Sequence, residues 1–231
     1  DAAVERLCGA LADLVRRFAG RRVLWCGAAI GGAVTEGSDT GLGETGAVDH
    51  PILGWQRLPL GRRLHETLGV PVSVAEHVQA MAAAELLLAG HLTPAGTSLF
   101  FYARETVGMA TILNGEVYQP QRGAGSIAGL LVAPGVLDEQ PIARLQSVIG
   151  TAARKAAAAR LGVDDGAGIL ADDRARILGH AVAMMRDVIN PDGIIVAGEA
   201  FGAHPQGLAP VQAAFDAATD TPWPLEIVPT T

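Results

Sequence analysis

A chain of 231 residues, 49% of them hydrophobic and 18% charged, has apolar material for a sizeable core and is not a disordered segment. The net charge is −7, and the basic residues come as scattered pairs (Arg16-Arg17, Arg21-Arg22, Arg62-Arg63) instead of a stripe, so this segment is a poor nucleic-acid binder on its own. No apolar run approaches the ~20 residues of a membrane span, and no CxxC or HxxxH spacing suggests a metal.

In chain order, Val4, Leu7, Cys8, Leu11, Leu14, Val15 and Phe18 recur at helical steps and predict an amphipathic helix ended by Gly20. The run "VLWCGAAI" (23–30) reads as a strand buried on both faces. Residues 31–46, rich in Gly, Ser, Thr and Asp, read as a loop. "PLGRRLHETLG" predicts a short helix and "VPVSVA" a second buried strand, followed by a helix through Ala80–Leu88. Alternating helices and strands build a parallel sheet. Cys8 and Cys26, on a helix and a strand, read as free thiols and suit a reducing cytoplasm.

After residue 90 the pattern changes. "SLFFYA", "VGMATIL" and "EVY" are short strands, and Asn114-Gly115 marks a tight hairpin turn. "RGAGSIAG" is a Gly-rich loop. A long Ala-rich helix is expected near 139–161 and another near 171–189, stopped by Asn190-Pro191. "GIIVAG", a helix over 207–218 and the strand "LEIV" complete the chain. The change of pattern at Glu76-His77 predicts a smaller α/β lobe over 1–76 and a larger one over 77–231.

Five segments, "AAIGGAV", "LGWQRLPL", "VPVSVAEHVQAMAAAE", "TVGMATILNGEVY" and "NPDGIIVAGEAF", stand in the order and spacing of the ROK family (repressor, open reading frame, kinase). The chain resembles the transcriptional-regulator branch of that family. The resemblance implies an α/β, two-lobed sugar-kinase/actin-like (ribonuclease H-like) fold, truncated here at both ends. The family's first phosphate hairpin is expected before residue 1; "DTGLGET" (39–45) imitates it from within a loop.

Aligned on Glu85, the family's catalytic aspartate falls at His77, beside Glu76. The glycine-rich phosphate hairpin falls on Arg104–Ala110, where Gly108 is the one matching glycine and Glu105 brings negative charge. The sugar-gripping Glu-Ile-Gly-His falls on Ser126, Ile127, Ala128 and Gly129, and the zinc loop that follows it in relatives is missing. The resemblance therefore implies no catalytic residues, no metal and no cofactor. It offers Glu76, His77, Ser126, Gly129 and Gly32 as effector-binding candidates, and Thr106, Gly108 and Gly198 as a degenerate nucleotide site. A histidine at position 77 would make ligand binding respond to pH near neutrality. Glu76 and His77 can equally be a helix cap. The remaining histidines, among them His65, His91, His180 and His204, read as surface or loop residues, and Trp55 as core.

The resemblance leaves three functional readings. The first is the effector-binding and dimerisation body of a cytoplasmic regulator, a homodimer that senses a sugar or sugar derivative. Its DNA contact would come through a winged helix-turn-helix outside this chain. The second is an ATP-dependent sugar kinase, and the third a dimer scaffold that binds no ligand.

Overall fold

The structure is a computed structural model that describes residues 2–18, 20–35, 46–50, 53–89, 95–119 and 126–230. His91 and the "DTGLGET" stretch lie outside them. Packing divides the described chain into two units: residues up to Ala80 with Gln119, and Met81–Tyr118 with the residues from Ser126 onward. The boundary falls inside one helix, four residues beyond the pattern change at Glu76-His77.

In the first unit, helix α1 (Ala2–Arg17) buries Val4 and Cys8. They pack with Leu60 and Leu64 of α2 (Leu60–Leu68), Val48, Trp55, Val72 and Val74 into one small core. Gly69, at φ 66°, ends α2 with its N–H on the His65 carbonyl, the left-handed cap that glycine adopts without penalty. Strand β1 (Cys26–Ile30) pairs in parallel with β5 (Val72–Glu76), as helix-strand alternation predicts. The strand expected over 23–30 is shorter and is not buried on both faces. Its burial alternates, and Leu24 and Trp25 are 68% and 58% exposed. Among the described residues β1 has one neighbour, β5, so it lacks the covering layers that a run of apolar residues implies.

The expected loop 31–46 also contains a strand. β2 (Ala33–Thr35) pairs with β3 (Ala47–His50), and β3 pairs with β4 (Trp55–Pro59), in an antiparallel sheet. Helix α3 (His77–Leu88) starts at the end of β5, three residues before the predicted start.

The second unit is built on a five-stranded mixed sheet. β6 (Thr97–Ala103), β7 (Val107–Leu113) and β8 (Glu116–Val117) form the predicted meander. Asn114 and Gly115, at φ 50° and 80°, supply the two positive angles its tight turn demands. β11 (Gly193–Ala197) lies parallel to β6 on its other side, and β12 (Ile227–Pro229) parallel to β11. β9 (Leu131–Val132) and β10 (Ala143–Arg144) form a separate short pair.

The single helix expected over 139–161 is broken. It is β10, then α4 (Leu145–Ile149), then α5 (Thr151–Leu161), because Gly150 turns to extended backbone at ψ 162°. The long α6 (Gly168–Ile189) buries Ile177, Leu178, Ala181 and Val182. Asn190 caps it at φ 51° and donates its N–H to Arg186. α8 (Ala209–Ala218) crosses α6 at Gly179, where a Cβ would lie 2.6 Å from both Ala214 Cβ and the Val211 carbonyl oxygen. Glycine there sets the helix-helix distance.

Gly179→Ala should therefore cost about 1–3 kcal/mol through overpacking against α8. Gly168→Ala, whose Cβ would meet nothing within 4 Å, should change stability little. Urea denaturation of the two variants side by side checks this; equal midpoints would contradict the packing.

Candidate functional site

The carboxyl ends of β1 and β5 lie side by side, with Ile30 opposite Glu76. Ligands in α/β sheets commonly bind where parallel strands end and helices begin. Glu76 closes β5 and His77 opens α3. One carboxylate oxygen of Glu76 accepts the N–H groups of Val78 (3.0 Å) and Gln79 (3.1 Å). The other lies 2.8 Å from His77 Nδ1. Glu76 is thus a helix cap in fact, satisfying donors that the first turn of any helix leaves over. His77 is a quarter exposed, at 25% of its side chain. A Cβ at Gly31 would come within 3.7 Å of its Nδ1, so the glycine leaves space beside the ring. Gly32 serves packing: a Cβ there would lie 2.7 Å from the Asp49 carbonyl oxygen. Glu76, His77, Gly31 and Gly32 all belong to the first unit.

The remaining candidates belong to the second unit. The turn between β6 and β7 is closed by Arg104 N–H on the Thr106 carbonyl (3.0 Å). Thr106 is exposed, and Gly108 sits within β7 opposite Tyr102. Gln146 of α4 grips this turn from both sides. Its Oε1 accepts the Val107 N–H (2.9 Å), and its Nε2 donates to the Glu105 carbonyl (2.7 Å). The Glu105 carboxylate accepts the N–H of Thr151, first residue of α5 (3.2 Å). The Thr151 hydroxyl, then its N–H and the charges of Arg174 and Arg104, hold the Glu105 carboxyl below its ordinary range, against a smaller opposing effect of burial. Turn N–H groups and helix N-termini are where phosphates bind in proteins. Here the Val107 N–H and the first turn of α5 are engaged by the chain's own side chains.

Gly198 lies next to this turn. At φ 97° a Cβ there would come 2.3 Å from the Ala103 carbonyl oxygen, so a side chain is excluded by backbone and by conformation together. Gly198 opens the short helix α7 (Glu199–Gly202). Arg174 of α6 donates two bonds of 3.1 Å to the Glu199 carboxylate and one of 2.9 Å to the Ile149 carbonyl. Ser126 and Gly129, both exposed, share a turn in which the Ser126 hydroxyl accepts the Ala128 N–H (3.2 Å). Backbone bonds from Leu145 and Gln146 tie that turn to α4.

Of the histidines read as surface or loop residues, His204 lies in a loop and His180 lies on α6. His204 accepts the Gln206 N–H at Nδ1 and places Nε2 2.9 Å from Asp172, with 10% of its side chain exposed. Burial, and then the Arg176 guanidinium, push the pKa of the half-buried His180 down. Trp55 is core, 7% exposed, with His50 edge-on to its ring. Among the described residues no three His, Cys, Asp or Glu side chains come together as a metal would require.

The sequence reading missed Gln146, Thr151 and the Arg174–Glu199 clamp. A signal for Arg174 was present: it falls three residues before Ile177 on the apolar face of α6, and a buried guanidinium requires partners.

This fold and these motif positions define a sugar-kinase-like α/β protein, and comparison with known proteins makes the assignment specific. The ROK family model matches residues 2–134. The chain belongs to the ROK family. It is 40% identical, over 94% of its length, to the transcriptional regulators Mb0495 of Mycobacterium bovis and Rv0485 of Mycobacterium tuberculosis, and spans about half (54%) of the length of each. Among solved structures it is similar to a ROK family transcriptional regulator described as a homologue of the E. coli MLC protein (TM-score 0.75, 20% identity, 98% of this chain and 64% of that one). It is also similar to the ROK hexokinase of Thermus thermophilus (TM-score 0.71, 22% identity, 97% and 80%). A third is the ROK family glucokinase of Streptomyces griseus, solved with glucose and AMPPNP (TM-score 0.71, 18% identity, 98% and 82%). Regulators and kinases share the fold, so the fold alone does not separate them.

Two outcomes test the local chemistry. Glu76→Ala should destabilise by about 0.5–2 kcal/mol, the usual cost of losing a cap, measurable by urea unfolding at pH 7. The Glu105 carboxyl has a folded pKa below its unfolded one. Its contribution is therefore complete above the ordinary carboxylate range and is lost as pH falls through the lowered value. The stability gap between wild type and Glu105→Gln should shrink as unfolding is repeated from pH 7 down to pH 3. A gap that widens in acid would contradict the docking of Glu105 on Thr151.

Proposed function

We propose that this chain is the effector-sensing and dimerisation body of a transcriptional regulator and that it does not phosphorylate sugars. The carrying observation is the engaged anion site: Gln146 holds the Val107 N–H, and the Glu105 carboxylate sits on the first turn of α5. Phosphoryl transfer depends chiefly on positioning and on electrostatic stabilisation of the phosphates. A carboxylate at that place repels the charge it would have to hold. The 40% identity to regulators over nearly the whole chain supports the same reading. The chain's own basic residues form no stripe, so DNA contact is assigned to a winged helix-turn-helix outside these residues. Cys8 and Cys26 are both unpaired, which supports a cytoplasmic setting, and no described helix is long and apolar enough to cross a membrane. A homodimer is part of this reading, with two bodies setting the spacing of two DNA-reading heads.

In the sensing role His77, beside the glycine at position 31, is the polar side chain of the β5–α3 junction that a sugar or sugar derivative would meet. Such a ligand shifts the regulator by binding two conformations of the body unequally. One observation favours a second reading, a dimer scaffold that binds no ligand. Both oxygens of Glu76 are engaged within the chain, and the Ser126 hydroxyl is engaged by Ala128.

Coupled ADP release should stay at background for wild type and for His77→Asp with glucose, N-acetylglucosamine or N-acetylmannosamine plus ATP and magnesium. A general base contributes only ~10²–10⁴-fold and cannot replace the missing phosphate contacts. ADP formed in step with sugar phosphate would sink the proposal. A thermal-shift screen of sugars and sugar phosphates separates the two remaining readings: a shift abolished in His77→Ala supports the sensor, and a flat screen supports the scaffold.

A further inference from the structure

Helix α3 reads His-Val-Gln-Ala-Met-Ala-Ala-Ala-Glu-Leu-Leu-Leu, and Glu85 is its one carboxylate. Val78 and Ala82 face inward and are buried, while Leu87 and Leu88 are 79% and 85% exposed. Glu85 does not join them at the surface. The residue is 7% exposed, and its Oε1 is enclosed and has no hydrogen-bond partner among the described residues. A carboxylate oxygen taken out of water without a donor is costly, and folded proteins leave few of them. Glu105 and Glu76 in the same chain each find backbone N–H donors.

Beside Glu85 is a cavity of about 370 Å³, lined by Met81, Ala84, Leu88, Ala89, Phe100 and Thr230. That volume is within the range of small-molecule sites, and a few polar groups, here Glu85 and Thr230, among apolar walls are their usual composition. All these residues belong to the second unit, whereas Glu76 and His77 belong to the first. Among the described residues no basic side chain lines the cavity. The missing partner of Glu85 is therefore a donor, and a cationic one gives the stronger bond. A sugar does not fit this description, because its several hydroxyls would meet methyl and phenyl groups.

We propose that the α3 cavity is a second ligand site, for a small amphiphilic amine. Its ammonium pairs with the Glu85 carboxylate at the cavity wall, and its apolar body lies against Met81, Ala84 and Leu88. The proposal does not depend on whether a sugar binds beside His77.

Calorimetric titration of the whole chain at pH 7 with n-hexylamine, n-hexanol and hexanoate tests it. The amine should bind at least tenfold more tightly than the alcohol, and hexanoate should not bind. Glu85→Gln, with its fold checked by circular dichroism, should remove the preference for the amine and leave hexanol binding unchanged. Ala84→Phe, an exposed position on the cavity wall, should weaken amine and alcohol together, and it decides the matter if Glu85→Gln does not fold. Equal affinity for amine and alcohol, a preference that survives Glu85→Gln, amine binding unchanged in Ala84→Phe, or no binding of the amine would each overturn the proposal. The last result would leave Glu85 as a contact for a protein segment.

Discussion

A guanidinium removed from water has to find oxygen acceptors, and helix α6 carries two of them. Arg174 and Arg186 are each 2% exposed. Twelve residues apart, they lie near the two ends of the helix, and each fixes a different part of the second unit. Arg174 joins the end of α4, through the Ile149 carbonyl, to the Gly198–Glu199 turn after β11. Arg186 joins the end of α6 to Thr219 and to the Trp223 carbonyl, with Asp187 accepting the Thr219 and Thr221 hydroxyls. Those hydroxyls, more than the neighbouring arginine, hold the Asp187 carboxyl below its ordinary range. Removing one partner from such a buried set leaves an uncompensated charge, which is why these contacts set the position of the loops around them.

The nucleotide-like region takes its present form from this constraint. Arg174 fixes where α4 ends, so it also fixes Gly150 and the start of α5. Glu105 reaches that start from the β6–β7 turn, and Gln146, one turn before Ile149, holds the turn's backbone. A phosphate-binding hairpin works because its N–H groups are left available. In this chain the Gln146 carboxamide engages the Val107 N–H of the hairpin, and the Glu105 carboxylate engages the Thr151 N–H at the start of α5. The resemblance puts motif glycines at Arg104, Thr106 and Ala110, where this chain carries side chains, and the turn among them is held by Gln146 and Glu105.

Long, locally encoded elements were legible in the sequence. α6, the β7–β8 hairpin with its Asn114-Gly115 turn, and the parallel β1–β5 pair follow from periodicity and turn chemistry. The misses share a cause. β2, β3 and β4 are three to five residues long and exist through pairing with one another across sequence, which no local pattern records. Val23–Ile30 has the composition of a doubly covered strand but lacks the covering layers, so Trp25 remains outside and donates its indole N–H to the Ser73 hydroxyl. The helix break at Gly150 depends on contacts with Glu105, a residue 45 positions earlier. At the candidate site, the strand-to-helix junction at Glu76-His77 was legible. That both oxygens of Glu76 would be taken up locally was not, because a cap and a ligand contact use the same residue types at the same place.

Counting donors and acceptors separates two kinds of carboxylate in this chain. Glu76, Glu105, Asp187 and Glu199 each have donors within the protein, and each is explained as structure without calling on a ligand. Glu85 differs: among the described residues its enclosed oxygen lacks a donor, and the residue lines a cavity. A polar group that is satisfied gives no reason to expect a further molecule, however closely its position matches a catalytic motif. A polar group that is buried and unsatisfied does give such a reason, even where no motif points to it. On that physical ground, the turn that most resembles a phosphate site has its Val107 N–H engaged within the chain, while Glu85 keeps an enclosed oxygen without a donor among the described residues.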